Sequence, residues 1–129
     1  MTSEGNRSID EMKKYQIDNL KNYQKYKGWI CGHFLPEGMV NKTSALEVKV
    51  NTLKPGETEP EHFHPRGKTV IFIVKGKMKW RFDGQEYVLG KNDFAYLKER
   101  VREMIVEVYE PTTIISIRVP SVPNNKVEA

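Results

Sequence analysis

The chain is short of histidine, with three, and has a single cysteine and no long apolar run. Each shortage removes a class of protein. A lone Cys31 cannot close an internal disulfide, so the fold must rest on a packed core, as suits a reducing compartment. No stretch nears the roughly 20 apolar residues that span a bilayer. The opening residues MTSEGNRSIDEMKK lack the apolar centre of a secretion signal, so a cytoplasmic protein is expected. Strong charge is missing too: 21 basic against 17 acidic residues leave only +4, weak ground for a nucleic-acid partner. Lys77, Lys79 and Arg81 do alternate with Met78, Trp80 and Phe82. Without stacking aromatics among the bases, that ridge reads as a solvated strand face.

What is present is a run of short, alternating segments. Residues 8–27 are predicted to form a helix, opened by a Ser8/Glu11 capping box and stopped at Gly28. Strands follow at Trp29 to Phe34 and over Leu46, Val48 and Val50, whose polar partners Glu47, Lys49 and Asn51 face the other way. Thr69 to Val74 is apolar on both faces, so something must cover its outer side: the N-terminal helix or a second copy of the chain. Lys77 to Phe82 runs through the favoured hairpin turn Asp83-Gly84 into Glu86 to Leu89. Asp93 to Leu97, Glu103 to Tyr109 and Thr112 to Val119 complete the set. Evenly spaced strands with a single helix predict an all-β sandwich or barrel. Residues 121–129 are polar and predict a loose tail.

The stretch GETEPEHFHPRGKTVIFIVKG, Gly56 to Gly76, carries the chemistry. Histidines two apart on a strand share a face, so the imidazoles of His62 and His64 project together. Gly56, His62, His64 and Gly76 resemble the first motif of the cupin superfamily in spacing, with Thr69 where that motif has glutamate. Asp83-Gly84 and Lys91-Asn92-Asp93 resemble the start of the second motif, and continuing it puts Glu103 at its histidine and Glu107 at its asparagine. The resemblance implies a small jelly-roll barrel over residues 28–120, preceded by a helical extension (1–27) and followed by a tail (121–129).

It also implies a divalent metal (iron, manganese, nickel or zinc) on His62, His64 and Glu103, a set similar to the facial triad of two histidines and a carboxylate. No organic cofactor is implied. Alternation within Glu103 to Tyr109 puts Met104, Val106 and Val108 on the apolar face and turns Glu103 outward, whereas the family pattern turns it inward; both directions stay open. Thr69, Phe72, Trp80, Tyr96 and Glu107 are candidates to contact a substrate. His33 reads as a packed or hydrogen-bonded histidine and Cys31, on its face, as a small core residue. Two functions fit: a metal-dependent cupin of dioxygenase, isomerase or lyase type, or a metal-free homodimeric module binding a small molecule such as a sugar or organic acid.

Overall fold

The computed structural model describes residues 14–129. Its strands are β1 (Trp29–Cys31), β2 (Glu47–Leu53), β3 (Glu59–Phe63), β4 (Lys68–Phe82), β5 (Gln85–Gly90), β6 (Phe94–Leu97), β7 (Glu103–Val119) and β8 (Val127–Glu128). The protein is all-β, as its alternation predicts. Two strands organise the others. β4 and β7, 15 and 17 residues long, pair antiparallel from Lys68↔Val119 to Phe82↔Glu103. At one end β2 and β6 extend this pair; at the other end β3 and β5 do. Register shifts between Ile73 and Trp80 mark the bulges where the pair turns from one wing into the other. Leu53, Ile71 and Ile114 of the first wing pack with Trp80, Ile105 and Val108 of the second into one core, so the wings close on each other as a barrel.

The bulges explain two departures from the expected strands. Thr69–Val74 and Lys77–Phe82 are one strand through Gly76, and Glu103–Tyr109 and Thr112–Val119 are one strand through Pro111. Pro111 has no N–H to give, but it lies where the ladder already skips, between Lys77↔Glu110 and Lys75↔Thr113. A further bulge in β1, between Trp29 and Cys31, separates residues expected on one face. Trp29 and His33 line the central cavity, while Cys31 lines a separate hollow with Tyr23 and Val50.

Among the described residues the N-terminal helical element is shorter than expected. Residues 8–13 lie outside the described residues, 14–19 are not helical, and only Leu20–Tyr26 forms a 3₁₀ turn. Asp18 accepts hydrogen bonds from the Asn19 and Asn22 amides and the Tyr23 hydroxyl, and Asn19 caps Lys21. Short polar side chains bonded in this way begin a helix and do not continue one. The tail departs in the opposite sense. Ser121 is fully buried, β8 pairs with β3, and the Asn125 side chain bridges the backbone of Arg66. Composition missed this because the tail docks through hydrogen bonds and carries little apolar bulk.

Two glycines of the histidine segment serve different needs. Gly76 has φ +106, and a Cβ there would meet the Thr112 Cα at 2.5 Å and the Pro111 carbonyl oxygen at 2.6 Å. Gly56 has φ +92 but open space around it. We expect Gly76→Ala to cost about 3 kcal/mol or more, since backbone atoms cannot swing aside, and Gly56→Ala only about 1 kcal/mol. Urea unfolding of both variants checks this; equal midpoints would contradict it.

Candidate functional site

β3 and the start of β7 lie side by side, with His62 opposite Glu103 in the ladder. His62, His64 and Glu103 all turn inward, at 3%, 7% and 3% exposure. The two alternatives for Glu103 are thereby decided: it faces the barrel interior beside Ile105. Met104 and Val106 look out, and the bulge opposite Lys79–Trp80 returns Val108 to the core. One donor atom from each of the three residues fits within 4.8 Å of the others. The Nε2 atoms of His62 and His64 stand 3.7 and 3.6 Å from the two carboxylate oxygens.

The hydrogen bonds behind the rings fix what they present. Nδ1 of His62 lies 3.0 Å from the Pro60 carbonyl and Nδ1 of His64 2.6 Å from the Asn125 carbonyl. A carbonyl only accepts, so each Nδ1 carries the proton and each Nε2 offers its lone pair to the interior. His64 Nε2 and Glu103 Oε2 are buried without any hydrogen-bond partner. Burial, seconded by the nearby Arg118 charge, holds the His64 imidazole down at about 4, so it is neutral at pH 7. Burial pushes the Glu103 carboxyl up to about 7. Two lone pairs and a carboxyl facing one point, two of them unpartnered, are a donor set that a divalent cation satisfies. The residues fit the metal that the motif implies.

The three donors form one wall of a cavity of about 330 Å³. The opposite wall was not foreseen. On β2 the residues facing inward are Glu47, Lys49 and Asn51, the side read from sequence as solvated. Glu47 is buried because Arg118 donates to one of its oxygens at 2.6 Å and Ser121 to the other at 2.9 Å. Ser121 also binds the His33 ring at 2.7 Å, which explains that histidine as a hydrogen-bonded one. A polar face reads as outward when the other face is apolar. Ser116 and Arg118 of β7 alternate with Ile115 and Ile117 in the same phase, and that agreement between paired strands was the available signal.

Of the candidate substrate contacts, Trp80 lines this cavity. Thr69 is buried behind it, accepting a hydrogen bond from Arg118 Nε at 3.3 Å. Phe72, Tyr96 and Glu107 lie away from the cavity. Phe72 and Tyr96 have outward parity on β4 and β6, opposite that of Ile71 and Leu97, and Glu107 is exposed beyond the bulge in β7. On the outer surface, Lys79 and Arg81 pair with Glu86 across the hairpin. No helix of the described residues is long and apolar enough to cross a membrane.

The fold and site define a class: an all-β barrel with inward histidines at the wall of a central cavity. Residues 49–115, more than half of the chain, match the family model of the cupin domain, and the chain belongs to the cupin superfamily. Solved structures agree on the fold. A cupin protein from Bacteroides fragilis superposes with a TM-score of 0.67 at 21% identity, over 87% of this chain and 89% of that one. KdgF from a Halomonas species gives 0.58 at 17% identity, over 64% and 74%. Salicylate 1,2-dioxygenase from Pseudaminobacter salicylatoxidans gives 0.54 at 16%, over 59% of this chain but only 21% of that longer one. A search of curated proteins returned no match.

The Glu103 environment has a measurable consequence. Its carboxyl rises from an ordinary 4.5 to about 7 in the folded protein. Below pH 4.5 it is protonated in both states. As pH climbs toward 7 the unfolded chain releases its proton first, so folding loses stability, about 3 kcal/mol once both states are ionised. Glu103→Gln should therefore stabilise the chelator-treated protein by about 3 kcal/mol at pH 8 and by under about 1 kcal/mol at pH 5. Urea titrations at the two pH values test it, and a pH-independent difference would refute it.

Proposed function

We propose that the protein is a metal-binding cupin acting on or binding a small polar molecule. In this reading His62, His64 and Glu103 hold one divalent cation, among iron, manganese, nickel and zinc, at the wall of the central cavity. The observation that carries it is the convergence of three buried donors within 4.8 Å, two of them with no other partner. A bound cation would supply Lewis acidity and open coordination positions there. The chain's own residues supply the rest. The Pro60 and Asn125 carbonyls fix the imidazole tautomers, and the apolar surfaces of Trp80, Ile105 and Ile114 keep that side of the cavity dry. Dioxygenase, isomerase and lyase chemistry are all compatible with such a centre. The dioxygenase among the structural neighbours supports the first of these only as an analogy of fold.

Thr69 favours a second reading. It occupies the place of the first motif's glutamate and is engaged with Arg118, so it offers the site no carboxylate. A metal-free barrel that binds a small molecule without turnover accommodates that loss. Elemental analysis of protein purified without chelators or nickel resin separates the two. Near-stoichiometric metal, lost in the His62→Ala/His64→Ala variant, is the expected result. No metal after reconstitution with each of the four cations would overturn the metal reading in favour of the binding module.

We also infer a homodimer. The outer face of the first wing carries two apolar rows across four strands: Val48, Ile117, Val70 and Tyr96, then Val50, Ile115, Phe72 and Phe94. Phe94 and Tyr96 remain 65% and 55% exposed. A largely uncharged apolar face of this kind suits an isologous contact with its own copy. Light scattering at micromolar concentration should give twice the 15.0 kDa chain mass, and Phe94→Asp/Tyr96→Asp should halve it. A monomeric wild type would refute the inference.

A further inference from the structure

The cavity wall opposite the candidate metal ligands holds a cation with no acid assigned to it. Lys49 points inward from the middle of β2, between Glu47 and Asn51. Glu47 is spoken for by Arg118 and Ser121. Glu59, across the cavity on β3 beside His62, pairs with Lys126 at 3.0 Å. Among the described residues no carboxylate lies within ion-pair distance of Lys49, whose ammonium instead sits 5.4 Å over the Trp29 ring. Burial, opposed by the charge of Glu59 and seconded by those of Lys126, Lys27 and Arg118, holds its pKa below the ordinary lysine value.

Two residues that line the same cavity also carry an unpartnered neutral group. Asn51 Oδ1, two residues along the same strand face, is buried with nothing donating to it. Trp80 Nε1, on a side chain only 2% exposed, is buried with nothing accepting from it. Buried polar atoms of this kind are normally satisfied, and those at a cavity wall are satisfied by what enters. The unmet requirements are an anionic oxygen for Lys49, a hydroxyl for Asn51 and an oxygen acceptor for Trp80. An uncharged sugar leaves the first unmet, and a plain fatty acid the second.

We propose that the cavity selects small hydroxycarboxylic acids, with Lys49 holding the carboxylate and Asn51 accepting from a hydroxyl. This rests on the reading of the cavity as a small-molecule site but not on a bound metal. The ligand lies between the β2 wall and the wall formed by β3 and β7, and facing sheets stand about 10 Å apart, a span of a few carbons. Lys49 and Asn51 are thus specificity-determining residues on the side away from His62, His64 and Glu103.

Both tryptophans of the chain, Trp29 and Trp80, line the cavity, so intrinsic fluorescence reports its occupancy. Titrations of chelator-treated protein at constant ionic strength would compare gluconate with glucose, which lacks the charge, and with hexanoate, which lacks the hydroxyls. Lactate and malate extend the series to shorter acids. At least one of the three hydroxy acids should bind, and gluconate should exceed glucose by about tenfold or more, the scale of a charge-assisted contact. Lys49→Met should reduce that ratio to near one with glucose binding unchanged, and Lys49→Arg should restore much of it. Asn51→Ala should lower the gluconate-to-hexanoate ratio and spare the gluconate-to-glucose ratio, a split that general loss of structure does not produce.

Failure of all three hydroxy acids to bind, or a preference that survives Lys49→Met, overturns the proposal. The metal reading fails separately. A charge preference in a protein that takes up no metal sinks the metal centre alone, and metal uptake without the preference sinks this inference alone.

Discussion

A carboxyl group sealed between two imidazoles that have no proton to give it is the constraint on which the rest of this barrel turns. Both rings donate through Nδ1 to backbone carbonyls, so Glu103 faces two lone pairs and no donor. In water such a group is an ordinary acid. Inside this barrel it is held near pH 7, and its charged form is expensive unless something positive arrives. The arrangement sacrifices stability locally and keeps a place whose electrostatics are incomplete, the usual mark of a functional site. The well-packed remainder of the core, from Ile71 and Ile73 to Met78, tolerates that sacrifice.

The barrel was legible from the sequence because its signals are periodic and local. Alternation along the strands, the Asp83-Gly84 turn and the His62/His64 pair each depend on neighbours a few residues apart. What escaped depends on distant partners or on a shift of parity. Bulges in β1 and β7 sent Cys31 and Glu107 to faces that a strict period of two does not predict. The helix expected over 8–27 followed a ragged apolar stripe, while Asp18 and Asn19 in its middle carried the stronger instruction to begin afresh. The tail looked disposable because a docked amide leaves no trace in hydrophobicity.

The largest misreading was of polarity. Glu47, Lys49 and Asn51 were assigned to solvent because Val48 and Val50 opposite them look like core. In a barrel whose cavity is lined with polar side chains, that assignment inverts. Arg118 and Ser116 invert in step, since β2 and β7 are in register. Such an inversion is itself informative: a strand pair with polar residues inside has something other than packing to do there.

The last consequence concerns the order in which the site can exist. His64 is oriented by the carbonyl of Asn125, Glu47 is secured by Ser121, and Ser121 in turn holds His33, spans of 61, 74 and 88 residues. Every link joins an early part of the chain to a late one. A polypeptide emerging from the ribosome amino-terminus first can pair β4 with β5 while still attached, but it has no finished interior until residue 125 is free. His62 takes its tautomer from Pro60 beside it, but His64 is kept from adopting its own, and the pair from competing for passing cations on those terms, until synthesis of the barrel is essentially done.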